Sequence, residues 1–348
     1  MLNGIKIVDF TRLLPGPLAT HLLSQMGANV VKIEHPKRMD YLRYYGPQVD
    51  GASPFFHSIN YLKTKKTIDY QNKEGKKAIL EIIRTADVLV EQFRPGVMKS
   101  WGLDYASLKS INPKLVYVSL TGYGQDNVMS DEAGHDINYM AYSGLLDLLR
   151  DEKGKPVVPG FQLGDIGSGA YMVVMAVQSG LIQQLKTGQG AHLDVSMTKG
   201  LLPLLTVPVN MEWNKMPHEL FNTLNGKTMV NYAVYECADG KWLSLGAVEL
   251  KFWNNFCETV ERPQWKRDNE LELSVLQFPK QELIDFFKQK TRDEWTLFFK
   301  GKDVCIAPVL AVDELDQQEY LAQINAFETF ETEQGSPLKT VALPFQLL

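Results

Sequence analysis

Three short segments of the chain carry ionisable side chains in settings that suit proton transfer. His135 and Asp136 stand side by side in AGHDINYMAYSG, just before a mostly apolar run. Asp165 has glycines close by on both sides in FQLGDIGSGAY, and Glu249 follows the apolar run of SLGAVELKF. An imidazole and a carboxyl group can serve as general base and general acid, so these segments predict acid–base chemistry.

His135 and Asp136 are predicted to lie at the start of a helix. The positive end of a helix dipole disfavours a protonated imidazole, so His135 would be neutral near neutral pH and able to act as a base. Asp136 could equally serve as a helix cap, and Asp165, which precedes a long apolar helix, has the same alternative. Glu249 could be an ordinary surface acid, and the spacing leaves these interpretations open.

Basic residues of the first half border predicted strand ends and turns. Lys63, Lys65 and Lys66 lie in LKTKKT, and Arg94 lies in QFRPGV. Open α/β sheets bind ligands at the ends of their strands, where lysine offers phosphate a point charge and arginine a fork of donors. These residues predict a phosphorylated ligand such as a nucleotide or coenzyme A, with a solvated surface as the alternative.

Strands and helices alternate through the first 200 residues. The segments IKIVDF, NVVKIE, DVLVEQF, KLVYVSL and AHLDVSM are rich in β-branched residues and predict strands. Segments such as LATHLLSQMGA and NKEGKKAILEIIRTA have the apolar spacing of helices. This alternation predicts an α/β fold with a mostly parallel sheet covered by helices.

The pattern changes near residue 200. LLPLLTVPVNMEWNKMP contains three prolines and predicts an extended crossing segment. Residues 229–247 predict a hairpin that turns at Asp239 and Gly240, and helices follow it. The segment SPLKTVALPF near the end is predicted to return to the first domain.

Composition excludes several classes of protein. The net charge of −5 provides no basic field for nucleic acid or anionic lipid, and we expect no membrane span. The three cysteines are widely spaced, which favours buried thiols in a reducing cytoplasm over disulfides or a metal site. The first turn reads PGPLAT instead of GxGxxG, and neither a Walker A nor a GxSxG segment is present, which disfavours nicotinamide or flavin binding and an α/β-hydrolase.

Eight segments in order across nearly the whole chain carry a resemblance to a known family. They are LPGPLATHLLSQMGANVVKIEHP, VEQFRPGV, LVYVSLTGYGQ, AGHDINYMAYSG, LGDIGSGAY, KTGQGAHLDVSM, YECADGKWLSLGAVELKF and DVCIAPVLAVDE. Together they resemble the family III CoA-transferase (CaiB/BaiF) superfamily, and within it the α-methylacyl-CoA racemases most.

The resemblance implies a fold and an assembly. It implies an acyl-CoA substrate and a large Rossmann-like domain of residues 1–200 to which residues 320–348 return. A smaller α+β domain of residues 225–310 would be joined to it by connectors at 201–224 and 311–319. The chain would form an interlocked homodimer. We expect a cytoplasmic protein from its cysteine usage, and the expected proton-transfer chemistry needs no cofactor or metal beyond the coenzyme A of the substrate.

The resemblance also implies roles for individual residues. Asp165 matches the family's catalytic aspartate, a nucleophile in transferases and a proton-transfer group in racemases. His135 matches the racemase histidine, and Glu249 the glutamate that would orient it. Gly134 and Tyr139, in the same block as His135, are candidate coenzyme A contacts beside the basic residues. The absence of any Gly-Gly dipeptide favours the racemase, because oxalate-type transferases carry a glycine-rich loop.

Departures from the family pattern leave alternatives open. His35 stands where an arginine is usual after the second strand, and LKTKKT replaces an arginine-rich segment with lysines. We therefore expect an α-epimerase acting by two-sided proton transfer, with Asp165-based CoA transfer as the alternative and a non-catalytic acyl-CoA-binding relative as the third interpretation.

Overall fold

A six-stranded parallel sheet forms the centre of the first of two units in this chain. This unit comprises residues 1–206 and 323–348, and the second comprises residues 207–322. The computed structural model describes residues 1–151, 153–216, 229–269 and 280–345.

The domain boundaries proposed from the sequence remain predictions. Residues 217–224 of the predicted connector lie outside the described residues. So do residues 225–228 and 270–279 of the predicted small domain and residues 346–348 of the predicted returning tail.

The sheet has the strand order β3-β2-β1-β4-β5-β6, and all neighbouring strands are parallel. The strands are β1 (Lys6–Asp9), β2 (Asn29–Glu34), β3 (Thr64–Thr67), β4 (Val88–Glu91), β5 (Val116–Thr121) and β6 (His192–Ser196). From β1 the chain adds β2 and β3 on one side and then β4, β5 and β6 on the other, so the strand order reverses between β1 and β4. In such sheets ligands bind outside the carboxyl ends of the strands at this reversal. The predicted parallel α/β sheet is confirmed.

Helices of the first unit follow the predicted alternation. They are α1 (Pro15–Gln25), α2 (Pro54–Ser58), α3 (Lys73–Ile83), α4 (Val97–Ser100), α5 (Tyr105–Lys109), α6 (Asp136–Ser143), α7 (Leu145–Leu148), α8 (Tyr171–Thr187) and α9 (Met197–Leu201). Short 3₁₀ helices span Tyr41–Tyr44 and Leu202–Leu205, and a π-helix spans Gly164–Ala170.

The core of this unit lies between the sheet and its helices. Every residue of β4 and β5 is buried, as the continuous apolar runs of central parallel strands require. Ile79 and Ile83, one turn apart on α3, are fully buried in the same cluster as Leu89. Each such side chain contributes about 1.5–3 kcal/mol by leaving water, so this packing holds the strand ends in place.

The chain's last described segment returns to the first unit as a hairpin of β10 (Phe327–Glu331) and β11 (Pro337–Val341). Tyr61 stacks on Phe330 with ring centroids 4.1 Å apart, and its hydroxyl donates to Glu328 at 2.5 Å. The aromatic contact and the hydrogen bond dock the hairpin against the loop before β3.

The second unit contains a three-stranded antiparallel sheet. Its strands are β7 (Tyr232–Glu236), β8 (Trp242–Gly246) and β9 (Ile306–Pro308), in the order β7-β8-β9. The predicted hairpin is confirmed, with Asp239 and Gly240 between its strands. The helices are α10 (Thr206–Trp213), α11 (Leu250–Thr259), α12 (Lys280–Phe287), α13 (Arg292–Phe299) and α14 (Glu319–Gln323), with 3₁₀ turns at Pro263–Trp265 and Val312–Gln317. Aromatic residues such as Trp253, Phe256, Phe287 and Trp295 dominate its core.

The proline-rich segment after residue 200 is helical, so the predicted extended conformation is wrong. It consists of α9, the 3₁₀ turn Leu202–Leu205 and α10. Pro203 and Pro208 each stand in the first turn of one of these helical segments, where a missing N–H breaks no helical hydrogen bond.

One continuous helix, Gly164–Thr187, has the length and composition of a membrane span, with 44% of its apolar window buried. We expected no segment long and apolar enough to span a membrane, and by length and composition alone this helix contradicts that expectation. Core helices of soluble proteins pass the same test, so this finding is weak evidence for a membrane.

Candidate active site

A cavity of about 370 Å³ opens in the first unit at the carboxyl ends of β1, β4 and β5. It lies where the strand order reverses between β1 and β4, the expected ligand position in such sheets. The loops after these three strands, the segment around α6 and the π-helix supply its walls, which include Arg12, Arg94, Tyr123, His135 and Asp165. The structure therefore brings the predicted His135 and Asp165 to one cavity.

His135 immediately precedes α6 and is solvent-exposed. Its backbone N–H donates to Asn138 Oδ1 at 3.0 Å, and its carbonyl accepts the Asn138 N–H at 2.8 Å. The backbone of His135 and the side chain of Asn138 thus cap the helix reciprocally. The imidazole lines the cavity, where a ligand can reach it.

Asp136 stabilises a neighbouring helix through its side chain. Its Oδ1 accepts the backbone N–H of Asp165 at 2.9 Å, at the start of the π-helix. A Cβ on Gly164 would lie 2.9 Å from the same oxygen, so this approach requires glycine there. The alternative expected for Asp136 was a cap on its own helix, α6, but the amide that its carboxylate accepts belongs to Asp165.

Asp165 is half-buried at the second position of the π-helix Gly164–Ala170 and lines the cavity. Burial, with a smaller contribution from the charge of Asp136, raises the pKa of its carboxyl to about 6, and His135 acts in the opposite direction. A carboxyl group with this pKa exchanges a proton easily near neutral pH, which suits a general acid and base. Short π-helical segments are often found at functional sites.

Backbone amides beside Asp165 lie at a helix start, a usual place for stabilising a developing oxyanion. The N–H of Asp165 donates to Asp136, and the N–H of Ile166 donates to the carbonyl of Gln162 at 2.9 Å. Both donors are therefore used within the protein.

Tyr139 and Gly134 form part of the cavity wall as a packed pair. Tyr139 is 7% exposed, and its hydroxyl donates to the Gly134 carbonyl at 2.5 Å. A Cβ on Gly134 would come within 2.7 Å of the Tyr139 ring, and one on Gly122 within 2.3 Å. These two glycines make room for the ring, which supports the loop before His135.

An adjoining cavity of about 250 Å³ is lined by Arg12, Arg38 and Arg94. It shares Arg12, Arg94 and two neighbours of Arg94 with the first cavity. Among the described residues, none of these three arginines forms an ion pair with an acidic side chain. Three guanidinium groups without carboxylate partners give this cavity the positive charge and the hydrogen-bond donors that binding of a polyanion would require.

Sequence reasoning identified Arg94 but missed Arg12 and Arg38. Arg12 follows β1 by three residues, and Arg38 follows β2 by four. Arg94 was identified because it follows a predicted strand. The same criterion would have identified Arg12 and Arg38.

The three predicted lysines are placed differently from Arg94. Lys63 is enclosed, and its Nζ lies 3.1 Å from Asp9 Oδ2 and 2.8 Å from both the Pro17 carbonyl and Thr20 Oγ1. The structure therefore places Lys63 in the core, where its ammonium has no free direction toward a ligand. Lys65 pairs with Glu333 at 2.6 Å. Lys66 is exposed on β3, and none of the three lines either cavity described above.

Glu249 belongs to the second unit, where it is exposed and immediately precedes α11. Its carbonyl accepts the Trp253 N–H at 3.1 Å, which begins the helix. The role predicted for it, orienting His135, remains a prediction.

Comparison with known proteins gives a consistent family. The model of the family described as CoA-transferase family III matches residues 2–348. The human α-methylacyl-CoA racemase is 29% identical over 99% of this chain and 88% of its own length. The human succinyl-CoA:glutarate CoA-transferase is 31% identical over 88% of this chain and 71% of its own length. A solved CaiB/BaiF family protein of Brucella suis superposes with a TM-score of 0.78, at 25% identity over 99% of this chain and 92% of that one.

Proposed function

The chain belongs to CoA-transferase family III, and from that premise we propose that it inverts the carbon next to the thioester carbonyl of an acyl-CoA. The family contains both racemases and CoA-transferases. One observation favours an epimerase over a transferase. The imidazole of His135 and the carboxyl group of Asp165, whose pKa is raised, line the same cavity.

The neighbouring arginines support a coenzyme A thioester as the ligand. Coenzyme A carries phosphate groups at one end and its acyl group at the other. Arg12, Arg38 and Arg94 offer guanidinium donors to the phosphates, and the shared wall leads from them to His135 and Asp165. A single elongated anion could thus have its phosphates at the arginines and its reacting carbon at the acid–base pair.

The proposed reaction is two proton transfers. A thioester makes the adjacent C–H weakly acidic, and one of His135 and Asp165 removes this proton while its electron pair moves into an enolate. The other group, protonated beforehand, returns a proton to the opposite face of the planar carbon. Each positioned proton-transfer group contributes about 10²–10⁴-fold.

The alternative is CoA transfer through Asp165. Its carboxylate would attack the thioester carbonyl, form a mixed anhydride with the acyl group and release the coenzyme A thiolate. Similarity to the succinyl-CoA:glutarate CoA-transferase favours this alternative. It uses Asp165 as a nucleophile and requires no proton transfer by His135.

The test is α-proton exchange in D₂O with a single enantiomer of a 2-methylacyl-CoA. The epimerase incorporates deuterium at the α-carbon and yields both enantiomers without a second carboxylic acid. Transfer of coenzyme A to an added carboxylate without α-exchange would favour the transferase, and coenzyme A binding with neither activity would favour a non-catalytic relative.

His135→Ala and Asp165→Ala assign the residues in the same assay. We expect Asp165→Ala to abolish both activities, because either mechanism uses this carboxyl. His135→Ala should remove α-exchange and leave a transferase largely active. Full α-exchange by His135→Ala would contradict the two-group mechanism.

We also propose that the protein acts as a cytoplasmic homodimer. Helix α8 has an exposed apolar stripe on one side, with Tyr171, Met175, Ile182 and Leu185 between 47% and 83% exposed. Exposed apolar stripes of this kind are typical of surfaces that a partner covers. A second copy of this chain is the partner that the family resemblance implies.

A further inference from the structure

The loop after β4 forms a wall that several cavities share. Arg94 lines the candidate active site, the arginine-lined cavity and a third cavity of about 270 Å³. The ring of Phe93 lies 5.7 Å from the guanidinium carbon of Arg12 and packs edge-on against Trp101 with centroids 5.0 Å apart. The backbone of Phe93 therefore helps to set the positions of both Arg12 and Arg94.

Glu91, the last residue of β4, is bonded directly to this loop. It is 3% exposed, and its Oε2 accepts the backbone N–H of Phe93 at 2.8 Å. Burial raises the pKa of Glu91 to about 7, while the Ser119 hydroxyl and the Phe93 N–H act in the opposite direction. A carboxyl group removed from water is stabilised by the polar groups that contact it, and one of these groups is the Phe93 N–H of the loop.

Ser119 lies beside Glu91 on the next strand. The two residues are register partners on β4 and β5, and the Ser119 hydroxyl acts to lower the pKa of the Glu91 carboxyl. Ser119 Oγ lies 2.9 Å from His192 Nε2 on β6. Polar side chains of three adjacent strands therefore lie next to the carboxyl that accepts the Phe93 amide.

We propose that Glu91 is a positioning residue that holds the Gln92–Pro95 loop, and with it Arg12 and Arg94, in place for the anionic part of the ligand. Glu91 acts through the backbone of Phe93 and needs no contact with the reacting carbon. The inference rests on the proposed function, since the ligand in its test is a coenzyme A thioester.

Three variants separate positioning from general destabilisation. Glu91→Ala removes the acceptor, whereas Glu91→Gln keeps an oxygen that can accept the Phe93 N–H. Asp87→Ala is the matched control, because Asp87 precedes the same strand and its carboxylate accepts the Lys6 N–H at 2.9 Å, at the opposite end from the loop. The readouts are KM and kcat for the acyl-CoA, the dissociation constant of free coenzyme A, and hydrogen exchange of the peptide spanning residues 92–95 in the full chain.

We expect Glu91→Ala to raise KM and the coenzyme A dissociation constant about tenfold with kcat within about twofold of wild type, since binding contacts are loosened and the acid–base pair is untouched. Exchange of the 92–95 peptide should accelerate. Glu91→Gln should restore all three readouts to near wild type, and Asp87→Ala should leave them unchanged even if its melting temperature falls.

Unchanged exchange of the 92–95 peptide in Glu91→Ala would overturn the positioning role, whatever the protein's activity. Equal losses in Glu91→Ala and Asp87→Ala would do the same, because they would indicate destabilisation alone. Failure of the wild-type protein to bind coenzyme A would overturn the proposed function, and the exchange measurement would still decide the role of Glu91.

Discussion

The carboxylate of Asp136 accepts the backbone N–H of Asp165 across 2.9 Å, although 29 positions separate the two residues in the chain. This bond joins the start of α6 to the start of the π-helix and brings two carboxyl groups close together. The charge of Asp136 then adds to burial in raising the pKa of Asp165 to about 6. Asp136 therefore both positions the candidate catalytic carboxyl and tunes its proton affinity.

Asp136→Asn tests this relationship. Asparagine keeps an oxygen for the Asp165 N–H but removes the negative charge, so the pKa of Asp165 should fall by roughly one unit or less. The corresponding limb of the pH profile of kcat/KM for α-exchange should move to lower pH. Asp131→Asn, at an exposed acid of the preceding loop, is the control and should leave the profile in place. A profile that shifts equally in both variants would contradict the role of Asp136.

Asp165→Asn should stabilise the fold at neutral pH while abolishing activity. The pKa of Asp165 is about 6 in the folded chain against an ordinary 3.8, so the folded state binds more protons between these values and loses stability as pH rises through them. Removing the carboxyl should recover on the order of 1–2 kcal/mol above about pH 7 and almost nothing near pH 4. Thermal unfolding at both pH values measures the difference. An equal effect at both would contradict the raised pKa.

Arg38→Ala should weaken coenzyme A binding by about tenfold, a typical loss for one charge-assisted contact to phosphate. The loss should shrink at high salt, because screening weakens the interaction. Lys66→Ala is the matched control, since Lys66 is an exposed cation that lines neither cavity. Calorimetric titration with free coenzyme A gives both affinities. Similar losses in the two variants would indicate a diffuse surface attraction instead of an arginine site.

Lys63→Met should destabilise the chain by about 3–5 kcal/mol, since it leaves the fully buried carboxylate of Asp9 without its cation. Lys65→Ala, whose partner Glu333 is 77% exposed, should cost less than about 1 kcal/mol. Denaturant unfolding gives the two free energies. The double variant Asp9→Leu with Lys63→Met should recover part of the loss, and a stable Lys63→Met with weakened coenzyme A binding would instead support a direct ligand contact.

Leu185→Glu should separate the proposed homodimer into monomers. Leu185 is 83% exposed in one copy of the chain and lies on the apolar stripe of α8, so a charge there opposes burial by a partner. Light scattering after size exclusion measures the mass. Gln183→Glu adds the same charge on α8 at an exposed position about a quarter of a turn from the stripe, and should stay dimeric. A wild-type protein that is monomeric at micromolar concentration would contradict the assembly.

The first half of the chain could be read well from its sequence. Residues Asn29–Glu34 form the predicted second strand, and the helix near His135 begins at Asp136 as expected. Such elements depend on local apolar periodicity and on helix-start residues, which neighbouring residues in the chain largely determine. The prediction of an extended proline-rich segment was wrong because it counted the prolines without considering where in a helix each would stand. Pro203 and Pro208 stand in the first turns of helical segments, where a proline is compatible with a helix.

Residue types and spacing determined the chemistry available to this protein: a histidine at a helix start, a carboxyl among glycines, and cations after strands. Only the tertiary structure decided which of them can act together. It assigned Lys63 to a buried ion pair and Lys65 to Glu333, gathered Arg12, Arg38 and Arg94 at one end of the sheet, and directed Asp136 to the amide of Asp165. The physical reason is that a charged side chain pairs with whatever the fold brings within a few ångströms, and strand order, which neighbouring residues do not encode, sets those distances.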